Sequence, residues 1–191
     1  MKSIKGSKTE KNLLASFAGE SQARNRYTFF AEKARKEGFE QIAAIFEETA
    51  DNEREHARRF FSFLEGGDVE IQAAYPAGVV GDTAANLAAA AAGEHMEWTK
   101  LYREAGDIAE QEGFKEVAYV FRAIAGVEEQ HEKRYLKLLG SVKTGSVFKR
   151  DKEIVWKCRN CGYIHKGKEA PGRCPTCAYP QSYFEEAAEN Y

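Results

Sequence analysis

The chain has 191 residues, with 28 Lys and Arg against 30 Asp and Glu, for a formal net charge of −2. That near balance excludes the basic excess of a typical nucleic-acid binder, and no apolar run approaches the roughly 20 residues that cross a bilayer. The N-terminal segment is charged and lacks the apolar core of an export signal, so a reducing cytoplasm is expected, in which four cysteines serve as metal ligands rather than disulfides.

Residues 1–140 read as helix. Ser7 and Glu10 fit a capping box, and the Ala-, Glu-, Arg- and Lys-rich run after them predicts a helix up to Glu37, closed by Gly38. A second helix is expected from about Phe39 to Leu64. The segment from Gly66 to Gly81, with Pro76 and four glycines, reads as an irregular connection. Asp82 or Thr83 caps a third helix that lasts to about Gln111, and Gly113 separates it from a fourth, Phe114 to Leu139. The connections within each pair are short, so each pair is antiparallel. The middle connection of about 16 residues reaches about 50 Å at full extension. A helix of about 25 residues is roughly 38 Å long, so the connection can run the length of a bundle. The fold class expected is an all-α, ferritin-like four-helix bundle with one long crossover.

The two pairs repeat each other. Ala18-Gly19-Glu20 matches Ala92-Gly93-Glu94 at an offset of 74, whereas Glu37-Gly38-Phe39 matches Glu112-Gly113-Phe114 at 75. Tyr27 and Tyr102 are also 75 apart, as are Glu53-x-x-His56 and Glu128-x-x-His131. One residue has therefore been inserted between Glu94 and Tyr102, and a π-turn there is the expected way to absorb it.

Glu-x-x-His places both side chains on one helical face. Two such pairs, each preceded in its repeat by a further glutamate, Glu20 or Glu94, follow the ligand plan of dinuclear carboxylate bundles. Glu97, one residue after His95-Met96, adds a carboxylate with no mate in the first repeat. Oxygen and imidazole donors favour Fe or Mn over a thiophilic metal. Five ionised glutamates carry −5, which two ferrous ions reduce to −1. Tyr27 and Tyr102 lie on the ligand face, where either hydroxyl can donate to a carboxylate or simply fill the core. His95 is expected in solvent, about 100° around the helix from Glu94, and His165 in a structural or exposed position.

Residues 141–152 read as a polar linker. From 153 to 191 the composition shifts to a turn-rich module of a size that needs a metal or disulfide to fold. Cys158-x-x-Cys161 and Cys174-x-x-Cys177 predict a tetrahedral tetrathiolate site. The spacing itself admits Zn²⁺, giving a structural ribbon, or iron, giving a one-electron carrier.

Cys161-Gly162-Tyr163 and Cys174-Pro175-Thr176-Cys177 resemble rubredoxin knuckles. Together with Ala18-Gly19-Glu20-Ser21-Gln22-Ala23, Glu53-Arg54-Glu55-His56, Gly93-Glu94-His95-Met96-Glu97 and Glu128-Glu129-Gln130-His131, they make the whole chain resemble the rubrerythrins. The resemblance implies a di-iron bundle that reduces hydrogen peroxide to water, with electrons relayed from NAD(P)H through a separate reductase or rubredoxin and the tetracysteine iron. It implies Glu20, Glu53, Glu94, Glu97, Glu128 and His131 as di-iron ligands, with His56 as a redox-dependent alternative, and a homodimer or larger homo-oligomer. An iron-storage protein, a protein with Zn in both sites and a di-manganese catalase stand as alternatives on the residues themselves.

Overall fold

A computed structural model describes residues 2–189. The first helix, α1 (Lys8–Lys36), starts at Ser7, whose Oγ accepts from the Glu10 amide at 3.0 Å, while Glu10 reaches back to the Gly6 amide at 2.7 Å. Helix α2 (Glu40–Phe61) follows after Gly38, which turns the chain at φ +81°. An irregular crossover then runs along the bundle, with Tyr75 donating to the Ala15 carbonyl at 2.6 Å. Asp82 caps α3 (Thr83–Met96) by accepting from the Ala85 amide at 2.7 Å. A π-helical segment, Glu97–Leu101, joins α3 to α4 (Tyr102–Gln111), so the third bundle helix is continuous but carries its extra residue where the two repeat offsets differ. Helix α5 (Lys115–Lys143) completes the bundle.

The two hairpins hold each other at equivalent corners. Glu37, at the end of α1, accepts from the Thr83 amide and hydroxyl at 2.8 and 2.6 Å. Its repeat mate Glu112 accepts from the Thr9 amide and hydroxyl at 2.9 and 2.6 Å. Each glutamate thus caps the first turn of a helix in the other hairpin.

The apolar residues of the bundle form two clusters. One gathers Tyr27, Phe30, Phe46, Leu87 and Tyr135; the other gathers Leu13, Phe60, Tyr102, Val117 and Phe121. The candidate ligands belong to the same helical stripes. Glu53 lies between Ala50 and Ala57 in α2, and Glu128 and His131 lie between Ile124 and Tyr135 in α5, all of them buried. A polar layer of this kind in the middle of a core is costly unless something neutralises it.

The small domain is a three-stranded antiparallel sheet ordered β2-β1-β3, from β1 (Lys149–Cys158), β2 (Ile164–Glu169) and β3 (Phe184–Glu186). Trp156, Ala170 and Phe184 pack beside Cys158 and Cys174. The expected linker 141–152 is shorter than its polar composition suggests. Helix α5 continues to Lys143 and β1 begins at Lys149, because the polar residues of 149–153 belong to a solvent-facing strand. The domain rests on the first turn of α2, where Phe148 stacks on Phe39 with ring centroids 6.3 Å apart. Among the described residues no helix is long and apolar enough to cross a membrane.

Candidate metal centres

Four helices bring six ligand-bearing side chains together in two overlapping quartets. Donor atoms of Glu20, Glu53, His56 and Glu128 lie within 4.8 Å of one another, and so do those of Glu53, Glu94, Glu128 and His131. Glu53 and Glu128 belong to both. The arrangement is that of two adjacent positions bridged by two carboxylates, each with one further Glu and one His. Glu53 is 1 % exposed and His56 13 %.

The hydroxyls cross the repeat. Tyr27 on α1 donates to Glu94 Oε1 at 2.5 Å, and Tyr102 on α4 donates to Glu20 Oε1 at 2.6 Å. Each orients one carboxylate and leaves its second oxygen free. His131 Nε2 faces Asn52 Oδ1 at 3.3 Å. With that nitrogen protonated, Nδ1 is left to point at Glu128 (2.8 Å) and Glu53 (3.3 Å). Asn52 was not legible as a functional residue, since its repeat mate is the apolar Val127.

The donors fit a pair of cations. Glu20 Oε2, Glu53 Oε1, Glu94 Oε2, both Glu128 oxygens and His131 Nδ1 are buried with no hydrogen-bond partner, although His56 Nδ1 stands 2.9 Å from Glu128 Oε1. Such crowding off the hydrogen-bonding directions is what shared metal ions resolve. Without them, burial and the neighbouring carboxylates push Glu20 and Glu97 well above the usual carboxylate range. Burial opposes charge on the imidazoles, but the carboxylates beside them win, raising His56 to about 10 and His131 to about 12.

Glu97 stands apart. It opens the π segment and feels the charge of Glu94, Glu128 and Glu53, yet it belongs to neither quartet. The structure therefore holds His56, not Glu97, in the first quartet. His95 is exposed and pairs with Glu132 at 3.0 Å. His165 lies on β2, opposite Trp156.

The four cysteines are free and converge. Cys158 Sγ and Cys177 Sγ are 3.8 Å apart, and Cys161 Sγ and Cys174 Sγ 3.6 Å. Four thiolates at about 2.3 Å from one tetrahedral ion would be separated by about 3.8 Å. The two knuckles have the same backbone: the Gly162 amide donates to the Cys158 carbonyl and the Ala178 amide to the Cys174 carbonyl, both at 2.9 Å. Gly162 and Ala178 are both left-handed, at φ +77° and +61°. Desolvation disfavours the Cys177 thiolate, but bonds from Asn160 and the Tyr179 backbone hold it down at about 6.

Two family models divide the chain at the same place as the structure. Residues 11–139 match Rubrerythrin, and residues 156–185 match the Rubrerythrin, rubredoxin-like domain. The chain belongs to the rubrerythrin family. It is 65 % identical to the rubrerythrin of Porphyromonas gingivalis over 100 % of this chain and 95 % of that one. It is 58 % identical to the rubrerythrin of Nitratidesulfovibrio vulgaris over the full length of both. Among solved structures it resembles fully reduced, all-ferrous nigerythrin, with a TM-score of 0.63 and 33 % identity over 97 % of this chain and 92 % of that one. Its cofactor sites are those of a rubrerythrin: a di-iron carboxylate–histidine centre in the bundle and a rubredoxin-like tetracysteine iron site in the small domain.

Proposed function

We propose that this rubrerythrin is a cytoplasmic peroxidase that reduces hydrogen peroxide to water at the bundle centre and is re-reduced through the tetracysteine site. One observation carries the reading: two bridged ligand quartets and a one-electron carrier site occur in the same chain. Two adjacent ferrous ions would supply the two electrons that peroxide consumes and would polarise its oxygens as Lewis acids. The protein supplies the rest. Glu53 and Glu128, common to both quartets, would be shared between the ions, Glu20 and Glu94 are held in orientation by Tyr102 and Tyr27, and Asn52 aims His131. The two apolar clusters on either side of the polar layer restrict water. His56 and Glu97 would serve as alternative ligands to one iron, His56 when reduced and Glu97 when oxidised, since the harder ferric ion favours the anionic carboxylate.

Electrons come from NAD(P)H through a separate reductase or rubredoxin. The small domain touches α2 at its first turn, and Glu53 lies thirteen residues further along, about 20 Å away. That separation supports a homodimer or larger homo-oligomer in which a partner subunit's tetracysteine site serves the bundle. The test is the double variant Cys158→Ser, Cys174→Ser. Steady-state peroxide turnover with a rubredoxin-type reductase should stop, while a chemically reduced bundle centre still reacts once with peroxide. Unchanged turnover would show that the small domain is only structural.

A further inference from the structure

Arg26 immediately precedes Tyr27 on α1. Its guanidinium lies 5.4 Å from the Tyr27 ring centroid, and its Nε is buried with no hydrogen-bond partner. Its Nη2 stands 3.7 Å from the point that a Cβ on Gly93 would occupy. Gly93 is four residues before Glu97, on the same face of the third bundle helix. A helical side chain leans back over the turn before its own Cα, so the Glu97 side chain is directed toward the space above Gly93 that Arg26 enters from α1.

Both residues depart from the internal repeat. Ala23, buried and apolar, holds the place of Glu97 in the first half. Leu101 precedes Tyr102 as Arg26 precedes Tyr27. One cation and one carboxylate have thus been added to an otherwise two-fold plan, at the place where the plan also carries its extra residue. Glu97 lies outside both quartets in this arrangement, beside three other carboxylates. An ionised carboxylate there needs either a metal or another cation.

We propose that Arg26 is a positioning residue that holds the Glu97 carboxylate off the di-iron centre and so sets the balance between Glu97 and His56. The proposal rests on the reading of those two residues as alternative ligands. Removing Arg26 leaves the displaced carboxylate without its counter-charge. Glu97 then returns to the iron, the oxidised state gains, and the midpoint potential falls. Arg26 acts on Glu97 through its charge and not through a direct ion pair, and a change of about tenfold in the balance on losing that charge is about 30 mV for a two-electron couple.

The experiment uses the iron-loaded, full-length protein. Wild type, Arg26→Gln and Arg26→Lys are titrated potentiometrically, and their crystals are reduced with dithionite. Wild-type crystals should show His56 on the iron and Glu97 off it. Arg26→Gln should show Glu97 retained on the iron in a substantial fraction and a potential lower by about 30 mV, and Arg26→Lys should recover most of both. Arg26→Met keeps the apolar stem over Tyr27 and carries the same expectation where the Gln variant does not fold. In a Glu97→Ala background, Arg26→Gln should move the potential little. An equal shift there would mark a general charge effect and overturn the positioning role. Arg26→Gln with wild-type ligands and potential would overturn the proposal while leaving the alternative-ligand reading intact. Reduced, fully loaded wild type with Glu97 still on the iron would overturn that reading and the proposal with it.

Discussion

Stripping the metal from the bundle should exchange cations for protons. In the metal-free protein His56 at about 10 and His131 at about 12 are both protonated at pH 7. Glu20, Glu94 and Glu97, pushed up by burial and like charge, are the carboxylates inclined to take up further protons. The two imidazole protons alone bring the seven-residue cluster from −5 to −3, and each proton held by a raised carboxylate brings it closer to the −1 of the fully deprotonated cluster with two ferrous ions. Ferrous loading should therefore release at least the two imidazole protons per chain, or about one per iron, and each unit rise in pH should strengthen binding at least about tenfold per iron. The same shifts set the sign for stability. Both histidines and the three glutamates Glu20, Glu94 and Glu97 have folded pKa values above their unfolded ones, so at the metal centre the metal-free bundle binds more protons than the unfolded chain. The stabilisation these groups contribute is complete below the unfolded carboxylate values, declines as the pH rises past the unfolded carboxylate and imidazole values, and is gone once His56 and His131 have titrated at about 10 and 12. Iron-loaded protein should show the opposite trend across neutral pH. The assay is an anaerobic ferrous titration of the metal-free protein in weak buffer with a pH-indicator dye, alongside urea melts at several pH values. Fewer than one proton released per iron, from metal-free protein with native helix content, would refute the reasoning.

Glu37→Gln should cost about 1–2 kcal/mol in urea melts. A charge-assisted cap is worth more when fully buried, but the Glu37 side chain is 27 % exposed. The hydrogen bonds from Thr83 hold the Glu37 carboxyl down at about 2, so its contribution is complete above about pH 4.5 and disappears as the pH falls toward 2. Glu112→Gln should weaken the opposite corner in the same direction, since Thr9 lowers that carboxyl too. Tyr27→Phe and Tyr102→Phe should each lower ferrous affinity roughly 10- to 100-fold by freeing one carboxylate oxygen, as read by competition with a chelator; unchanged affinity would show that the carboxylates are oriented by packing. Mixing a bundle-defective subunit with a Cys158→Ser, Cys174→Ser subunit should restore turnover if electrons cross between subunits, and verified mixed oligomers without rescue would count against it.

The metal-bearing layer was legible because its residues interrupt apolar stripes at regular helical spacing and do so twice, 74 or 75 positions apart. The same comparison located the π segment, since an offset that changes within one helix has to be accommodated there. Contacts that join different elements left no such trace. Asn52 acts on His131 seventy-nine positions away. The end of α2 also differs from the expectation: the helix stops at Phe61 rather than about Leu64. Glu65 instead binds the Ser3 hydroxyl and the Ile4 amide, at 2.6 and 3.0 Å, pinning the N-terminal segment across the bundle end. The short linker was hidden for another reason, because an exposed strand and a linker have similar polar compositions.

The π segment has a consequence for the metals themselves. A cage built from two identical hairpins would offer two equal positions, and an electron arriving singly would have no reason to prefer either. One extra residue between Glu94 and Tyr102 places Glu97 beside the centre, a carboxylate without a counterpart across the two-fold. The two positions thereby become distinguishable. One keeps Glu94 and His131, held by Tyr27 and Asn52, while on the proposed reading the other has a choice of ligand. If the tetracysteine site delivers electrons one at a time, as proposed, the first and second would have different destinations, and a half-reduced protein should be a defined species with its valences localised rather than an average of two equivalent ones.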